Sequence, residues 1–162
     1  MKIIGIDPGY AIVGWGVMEY NGIRFKTLDY GAIITSADID FPHRLGMIYS
    51  ELNKILTIYK PENMAIEKIF FSSNQKTGID VAQARGVILL CAEHHKIDVK
   101  QYTPIQVKQG VTGYGRAEKM QVMDMTKRLL RLNKLPKPDD TADALAIAIA
   151  HAHSNSSKLM LK

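Results

Sequence analysis

Residues 2–20, KIIGIDPGYAIVGWGVMEY, decide the fold. KIIGIDP (2–8) is an apolar run halted by Pro8-Gly9, the pattern of a short buried strand that ends in a turn. A second strand is expected over about 12–20. Asn21-Gly22 then supplies a strong hairpin signal, so a third strand over about 23–35 folds back antiparallel. Ile23, Phe25, Ile33 and Ile34 are its strand formers.

Outward from this hairpin the chain alternates between helix and strand. Leu45, Ile48, Tyr49, Leu52, Ile55, Leu56 and Tyr59 recur at helical spacing and predict a helix over 42–59, stopped by Pro61. NMAIE (63–67) reads as a fourth strand. Residues 78–95 read as a second helix whose apolar content exceeds one stripe, and IDVKQY (97–102) as a fifth strand. A short helix from Pro104, a longer one over about 117–131 and a last one over about 139–153 follow. SNSSKLMLK (154–162) reads as a flexible tail. This order predicts one α/β domain over 1–153, built on a five-stranded mixed sheet flanked by helices. The first three strands pair antiparallel, and the later ones run parallel because helical crossovers join them.

The composition agrees. With 162 residues, 46% apolar and 23% charged, the chain can bury a core without staples and is neither disordered nor collagen-like. A single cysteine, Cys91, excludes an internal disulfide or a Cys-rich zinc cage and points to a reducing, cytoplasmic setting. No apolar run reaches the roughly 20 residues that span a bilayer. The net charge of +5 is concentrated: Lys108 to Lys137 holds eight basic residues and two acids, as expected of a surface that meets a polyanion.

Four acids stand out. Asp7 ends the first strand and Glu67 the fourth, each after an apolar run, and ligands of α/β sheets bind beyond the carboxyl ends of the strands. Asp140 and Asp143 open the last helix, three apart and on one face. Asp139 and Asp143 are four apart and also share a face, so spacing leaves Asp139 and Asp140 as alternatives. The rest of that helix, ALAIAIAHA, is almost wholly apolar, which packs it on the sheet and carries its acidic turn toward the strand ends. Carboxylates gathered there repel one another unless a cation neutralises them. Hard oxygen ligands suit Mg²⁺ or Mn²⁺. Two such ions about 3.5–4 Å apart are the usual device for phosphodiester cleavage. Each acid also has a plain structural use: Asp7 in a turn, Asp139 or Asp140 as a helix cap, Glu67 paired with Lys68. Their placement at the ends of three separate elements favours the shared site.

Smaller features surround these. TGYGRAEK (112–119) sets Arg116 and Lys119 around a helix start, a natural phosphate contact. Phe70-Phe71 open a polar run in which an aromatic can stack on an exposed base. His94-His95 and His151-x-His153 read as residues favoured near helix C-termini rather than metal ligands. Met120, Met123 and Met125 read as core filler, and Cys91 as a buried small hydrophobe.

Five motifs in order carry a resemblance: IDPGYAIVGWGV (6–17), AIEKIFF (65–71), VAQARGV (81–87), QVKQGVTGYGRAEKMQV (106–122) and DDTADALAIAIAHAH (139–153). Across nearly its whole length the chain resembles the RuvC-type Holliday junction resolvases of bacteria. The resemblance implies an RNase H-like fold, a homodimer, and paired metal-dependent nicks in two strands of like polarity at a four-way DNA junction, each leaving a 5′-phosphate and a 3′-hydroxyl. It implies Asp7, Glu67, Asp140 and Asp143 as catalytic and metal-binding acids, its D-x-x-D spacing choosing Asp140 over Asp139. Two Mg²⁺ per site are implied, with Mn²⁺ able to substitute. Lys108 and Lys119 match lysines that handle DNA phosphate, and Phe70 an aromatic that stacks at the crossover; Arg116 joins them as a DNA contact. A branch-migration helicase of the RuvA–RuvB type is the implied partner, and the cytoplasm, at the nucleoid, the implied location. Three other readings compete. An RNase H-like nuclease acting on structured RNA shares the opening strand. A non-catalytic junction-binding protein needs the basic segment but not four acids. An actin-like ATPase needs a second domain for which the chain has no room.

Overall fold

A computed structural model describes residues 1–69 and 75–159. The strands are β1 (Lys2–Asp7), β2 (Ile12–Tyr20), β3 (Phe25–Ile34), β4 (Asn63–Glu67) and β5 (Asp98–Tyr102). The helices are α1 (Phe41–Tyr59), α2 (Gln75–His94), α3 (Pro104–Thr112), α4 (Lys119–Leu129) and α5 (Asp139–Leu159). The sheet order is β3-β2-β1-β4-β5. β1, β2 and β3 pair antiparallel, while β1–β4 and β4–β5 are parallel. This is the mixed sheet that the hairpin and the helical crossovers predict.

Strand alternation divides the core into two layers. Ile4 and Ile6 of β1, Val13 and Val17 of β2, and Met64 and Ile66 of β4 pack against α1 and α2. Ile3, Met18 and Ala65 point the other way, into the layer built by α3, α4 and α5. Gly5 and Gly14 also lie on this second face. A Cβ on Gly5 would stand 2.0 Å from the Ala144 carbonyl oxygen, and one on Gly14 would stand 2.0 Å from that of Asp140. The backbone of α5 therefore rests directly on β1 and β2. Its alanines allow the approach: residues 144 to 150 are buried without interruption.

Several boundaries differ from the sequence reading. Tyr20 pairs with Phe25, so the hairpin closes through residues 21–24 rather than through Asn21-Gly22 alone. The Asn21 side chain accepts from the Ile23 and Arg24 amides at 3.0 and 2.8 Å, and Gly22 takes φ +94°. The asparagine thus makes an Asx turn, which periodicity does not register. α4 starts at Lys119 instead of 117, because Glu118 and Gln121 form a reciprocal capping box there. α5 runs past His153 to Leu159, so His151 and His153 are interior to the helix. They tie it to its neighbours: Nδ1 of His151 meets the Tyr102 hydroxyl at 2.8 Å, and Nδ1 of His153 meets the Gly110 carbonyl at 2.7 Å. Met123 is buried and Met125 packs on the core, but Met120 is 83% exposed and fills nothing. Cys91 is fully buried, and burial pushes its thiol up to about 11. Among the described residues no helix is long and apolar enough to cross a membrane.

Candidate active site

The same alternation that buries Ile3 and Gly5 turns Asp7, the last residue of β1, toward α5. On parallel β4, Ala65 faces α5, and Glu67 follows two residues later at the strand end. Asp7 pairs with Gly14, and Gly14 lies against the Asp140 carbonyl, so the first turn of α5 is clamped over the ends of β1 and β2. Thr141, fully buried, adds a hydroxyl bond to the Gly31 carbonyl at 3.0 Å. Three elements separated in sequence thus deliver their acids to one place because two glycines let a helix backbone touch the sheet.

The electrostatics agree with this placement. Burial, then Glu67, Asp143 and Asp140, push the Asp7 carboxyl up to about 8, with Lys119 pulling against them. Burial and then Asp143 raise Glu67, again opposed by Lys119. Nζ of Lys119 lies 3.0 Å from Oδ2 of Asp143, and that bond is the main cause of the raised lysine pKa. Asp139 behaves differently. It is exposed, paired with Lys137, and held below the usual carboxylate range by that contact. Asp140, not Asp139, is the residue that acts on Asp7.

A groove of about 210 Å³ runs beside this cluster, lined by Glu67, Lys108, Lys119 and Asp143 over an apolar floor that includes Val107 and Val122. Lys108 is therefore brought to the site together with Lys119. Arg116 sits exposed in the loop between α3 and α4. Phe70 lies outside the described residues. The donor set fits a hard divalent cation. It is all oxygen, its members repel one another, and no histidine or cysteine acts on Asp7 or Glu67. Among the described residues no group of three or more acids, histidines or cysteines stands in a metal-holding arrangement.

Sequence reasoning gave no role to Arg85. Its Nε donates to the Glu67 carbonyl at 3.3 Å and its Nη2 to Oε1 of Gln101 at 2.8 Å, fastening the end of β4 to β5. An arginine, the one charged residue within the largely apolar stretch VAQARGVILL, was the available signal.

A mixed sheet that carries acids beyond its strand ends, with an acidic helix turn laid across them, defines an RNase H-like nuclease. The structure superposes on the Thermus thermophilus RuvC structure with a TM-score of 0.90, at 33% identity, covering 98% of this chain and 97% of that one. It also matches T. thermophilus RuvC in complex with Holliday junction substrate, with a TM-score of 0.93 at 33% identity over 98% and 96% of the two chains. The family described as crossover junction endodeoxyribonuclease RuvC matches residues 3–151. Curated relatives bearing that description include one from Alkaliphilus oremlandii, 56% identical over 90% of this chain and 89% of its own. Another, from Fusobacterium nucleatum, is 54% identical over 98% and 84%. The chain belongs to the RuvC family of crossover junction endodeoxyribonucleases. It is a DNA-hydrolysing Holliday junction resolvase of recombination and repair, in a family of metal-dependent nucleases.

Proposed function

We propose that the chain acts as a homodimer, makes paired nicks in two junction strands of like polarity, and holds two Mg²⁺ per site on Asp7, Glu67, Asp140 and Asp143, with Mn²⁺ able to substitute. The observation that carries this reading is the burial of Asp7 beside three other carboxylates, drawn with it from three elements, which together lift it to about 8. When bound, the ions activate water and stabilise the departing 3′ oxygen. Asp7 must give up its proton to serve as a ligand. Lys119 is 63% exposed at its side chain and reaches the cluster from outside, so it can leave Asp143 and donate to a phosphate oxygen. Lys108 shares the groove and binds an adjoining phosphate. Arg116 and the rest of the basic 108–137 segment supply sequence-independent affinity that falls with salt. Phe70, three residues after Glu67 in the sequence, stacks on a base at the crossover. Residues 1–153 form the single nuclease domain, which works at the nucleoid in the cytoplasm beside a branch-migration helicase of the RuvA–RuvB type. A pair of substitutions tests the ligand set. Asp140→Asn is expected to abolish nicking of a four-way junction, while Asp139→Asn cuts within about twofold of wild type. The reverse ranking would reassign the site.

The dimer is supported by α2. One stripe of this helix, Ala84, Ile88 and Cys91, is buried in the monomer, whereas Ile79 and Leu90 are 55% and 51% exposed on another, beside the exposed Gly86. That second apolar stripe fits a second copy of the chain, because two-fold symmetry places like surfaces together and two active sites on two strands. Leu90→Glu is expected to weaken the dimer at least about tenfold and to convert paired nicks into single ones. Sedimentation and a supercoiled cruciform assay read the two effects. An unchanged dimer would remove α2 from the interface.

A further inference from the structure

Arg44 is a buried cation in α1, 7% exposed, and among the described residues no carboxylate pairs with it. Arginine is seldom buried without a partner, and an uncompensated charge inside a protein is costly, so its contacts are informative. Nε donates to Oγ1 of Thr35 at 2.9 Å. Nη2 points to the carbonyls of Tyr10 and Thr35, each at 3.4 Å, and the guanidinium lies 5.0 Å from the centre of the Tyr10 ring. Thr35 completes the arrangement: its hydroxyl donates to the Tyr10 carbonyl at 2.5 Å and its amide to that of Ala11 at 2.9 Å. Phe41 meets the Tyr10 ring edge-on at 6.0 Å.

Every one of these bonds ends on Thr35 or on residues 10–11, within the short segment that links Asp7 to β2. That segment is already tight, since a Cβ on Gly9 would stand 2.2 Å from the Ile12 carbonyl oxygen. The charges acting on Asp7 are Glu67, Asp143, Asp140 and Lys119, and Arg44 is not among them. What connects Arg44 to Asp7 is therefore the backbone of the intervening segment.

We infer that Arg44, with Thr35, is a positioning residue that holds the segment after Asp7 so that this carboxylate meets the other three in cation-binding geometry. The inference rests on the proposed role of the four acids as ligands. Groups that orient metal ligands typically contribute 10–100-fold in metal affinity, and a bistable or loosened turn would forfeit it.

Calorimetric titration of the full-length chain with Mn²⁺ tests this, alongside thermal melts and junction binding in EDTA. Arg44→Met and Thr35→Val are expected to bind Mn²⁺ at least about tenfold more weakly. Thr35→Ser, which keeps the hydroxyl, should bind as wild type, and all three should bind the junction normally in EDTA. Thr35→Val keeps the side-chain volume and decides the matter if Arg44→Met fails to fold. A merely structural role is separated by Ile88→Val, a core variant remote from the segment: it should lose thermal stability without losing Mn²⁺ affinity. Wild-type Mn²⁺ affinity in folded Thr35→Val or Arg44→Met would overturn the inference alone. Absence of Mn²⁺ binding by the wild-type chain would overturn the ligand reading, and this inference with it.

Discussion

Asp7→Asn is expected to abolish junction cleavage, by at least about 10³-fold, and at the same time to raise the melting temperature of the metal-free protein. The two effects have one cause. In the folded chain Asp7 titrates near 8, well above its ordinary value of 3.8, because it is buried beside three other acids. Between those two values the unfolded chain has released the proton and the folded chain has kept it. Stability therefore falls as pH rises from about 4 to about 8 and is flat above, an effect on the order of a few kcal/mol. Asparagine fills the same space with no charge to ionise, so the penalty vanishes along with the ligand. Cation affinity follows the same proton with the opposite sign. Below pH 8 an ion must displace it, so wild-type Mg²⁺ affinity should climb steeply toward pH 8 and level off beyond it. Melts in EDTA and in Mg²⁺ at pH 6 and pH 8.5 read all of this: Mg²⁺ should stabilise wild type, most at the higher pH, and leave Asp7→Asn unmoved. A mutant that melts lower than wild type in EDTA at pH 8.5 would show that Asp7 stabilises the fold instead.

Gly14→Ala should be among the most damaging small substitutions at the described residues. Its methyl would stand 2.0 Å from the Asp140 carbonyl oxygen and 2.3 Å from the carbonyl carbon, both backbone atoms with no rotamer to change. Only a shift of α5 relieves the clash, and that shift moves Asp140 and Asp143 away from Asp7. A loss of about 3 kcal/mol in stability is expected, with cleavage reduced about 10²-fold even where the protein remains folded. Gly46→Ala is the matched control. It lies exposed in α1 with nothing within 4 Å of a new methyl, and should stabilise by about 0.5–1 kcal/mol. Equal effects from the two alanines would mean that contact between α5 and the sheet does not set the site.

The legible parts of this protein were those with a local pattern. Period-two and period-three-to-four spacing placed the five strands and five helices, and β4 was bounded correctly because Pro61 and Lys68 break its apolar run on either side. The acids at the ends of β1 and β4 were visible because each follows such a run. What spacing left open was decided in three dimensions. Asp139 and Asp140 are neighbours in sequence, and only the fold turns one toward Lys137 and the other toward Asp7. The end of α5 was misread because polar residues after His153 break the apolar pattern without breaking the helix. The partners of Arg44 and Arg85 were invisible, because Thr35 and the Tyr10 carbonyl, and Gln101 and the Glu67 carbonyl, meet them only in the fold. No composition or periodicity records a carbonyl.

Asp7 and its three neighbouring acids are expected to make this chain cut four-way DNA junctions with divalent metal. The direct measurement incubates the purified chain with an end-labelled mobile four-way DNA junction, a linear DNA duplex and an RNA duplex, in Mg²⁺ or EDTA, with Asp7→Asn alongside. Symmetric, religatable nicks are expected in the junction alone, lost in EDTA and in the mutant. Tight junction binding without nicks in Mg²⁺ or Mn²⁺, or cutting of the RNA duplex in place of the junction, would contradict this expectation.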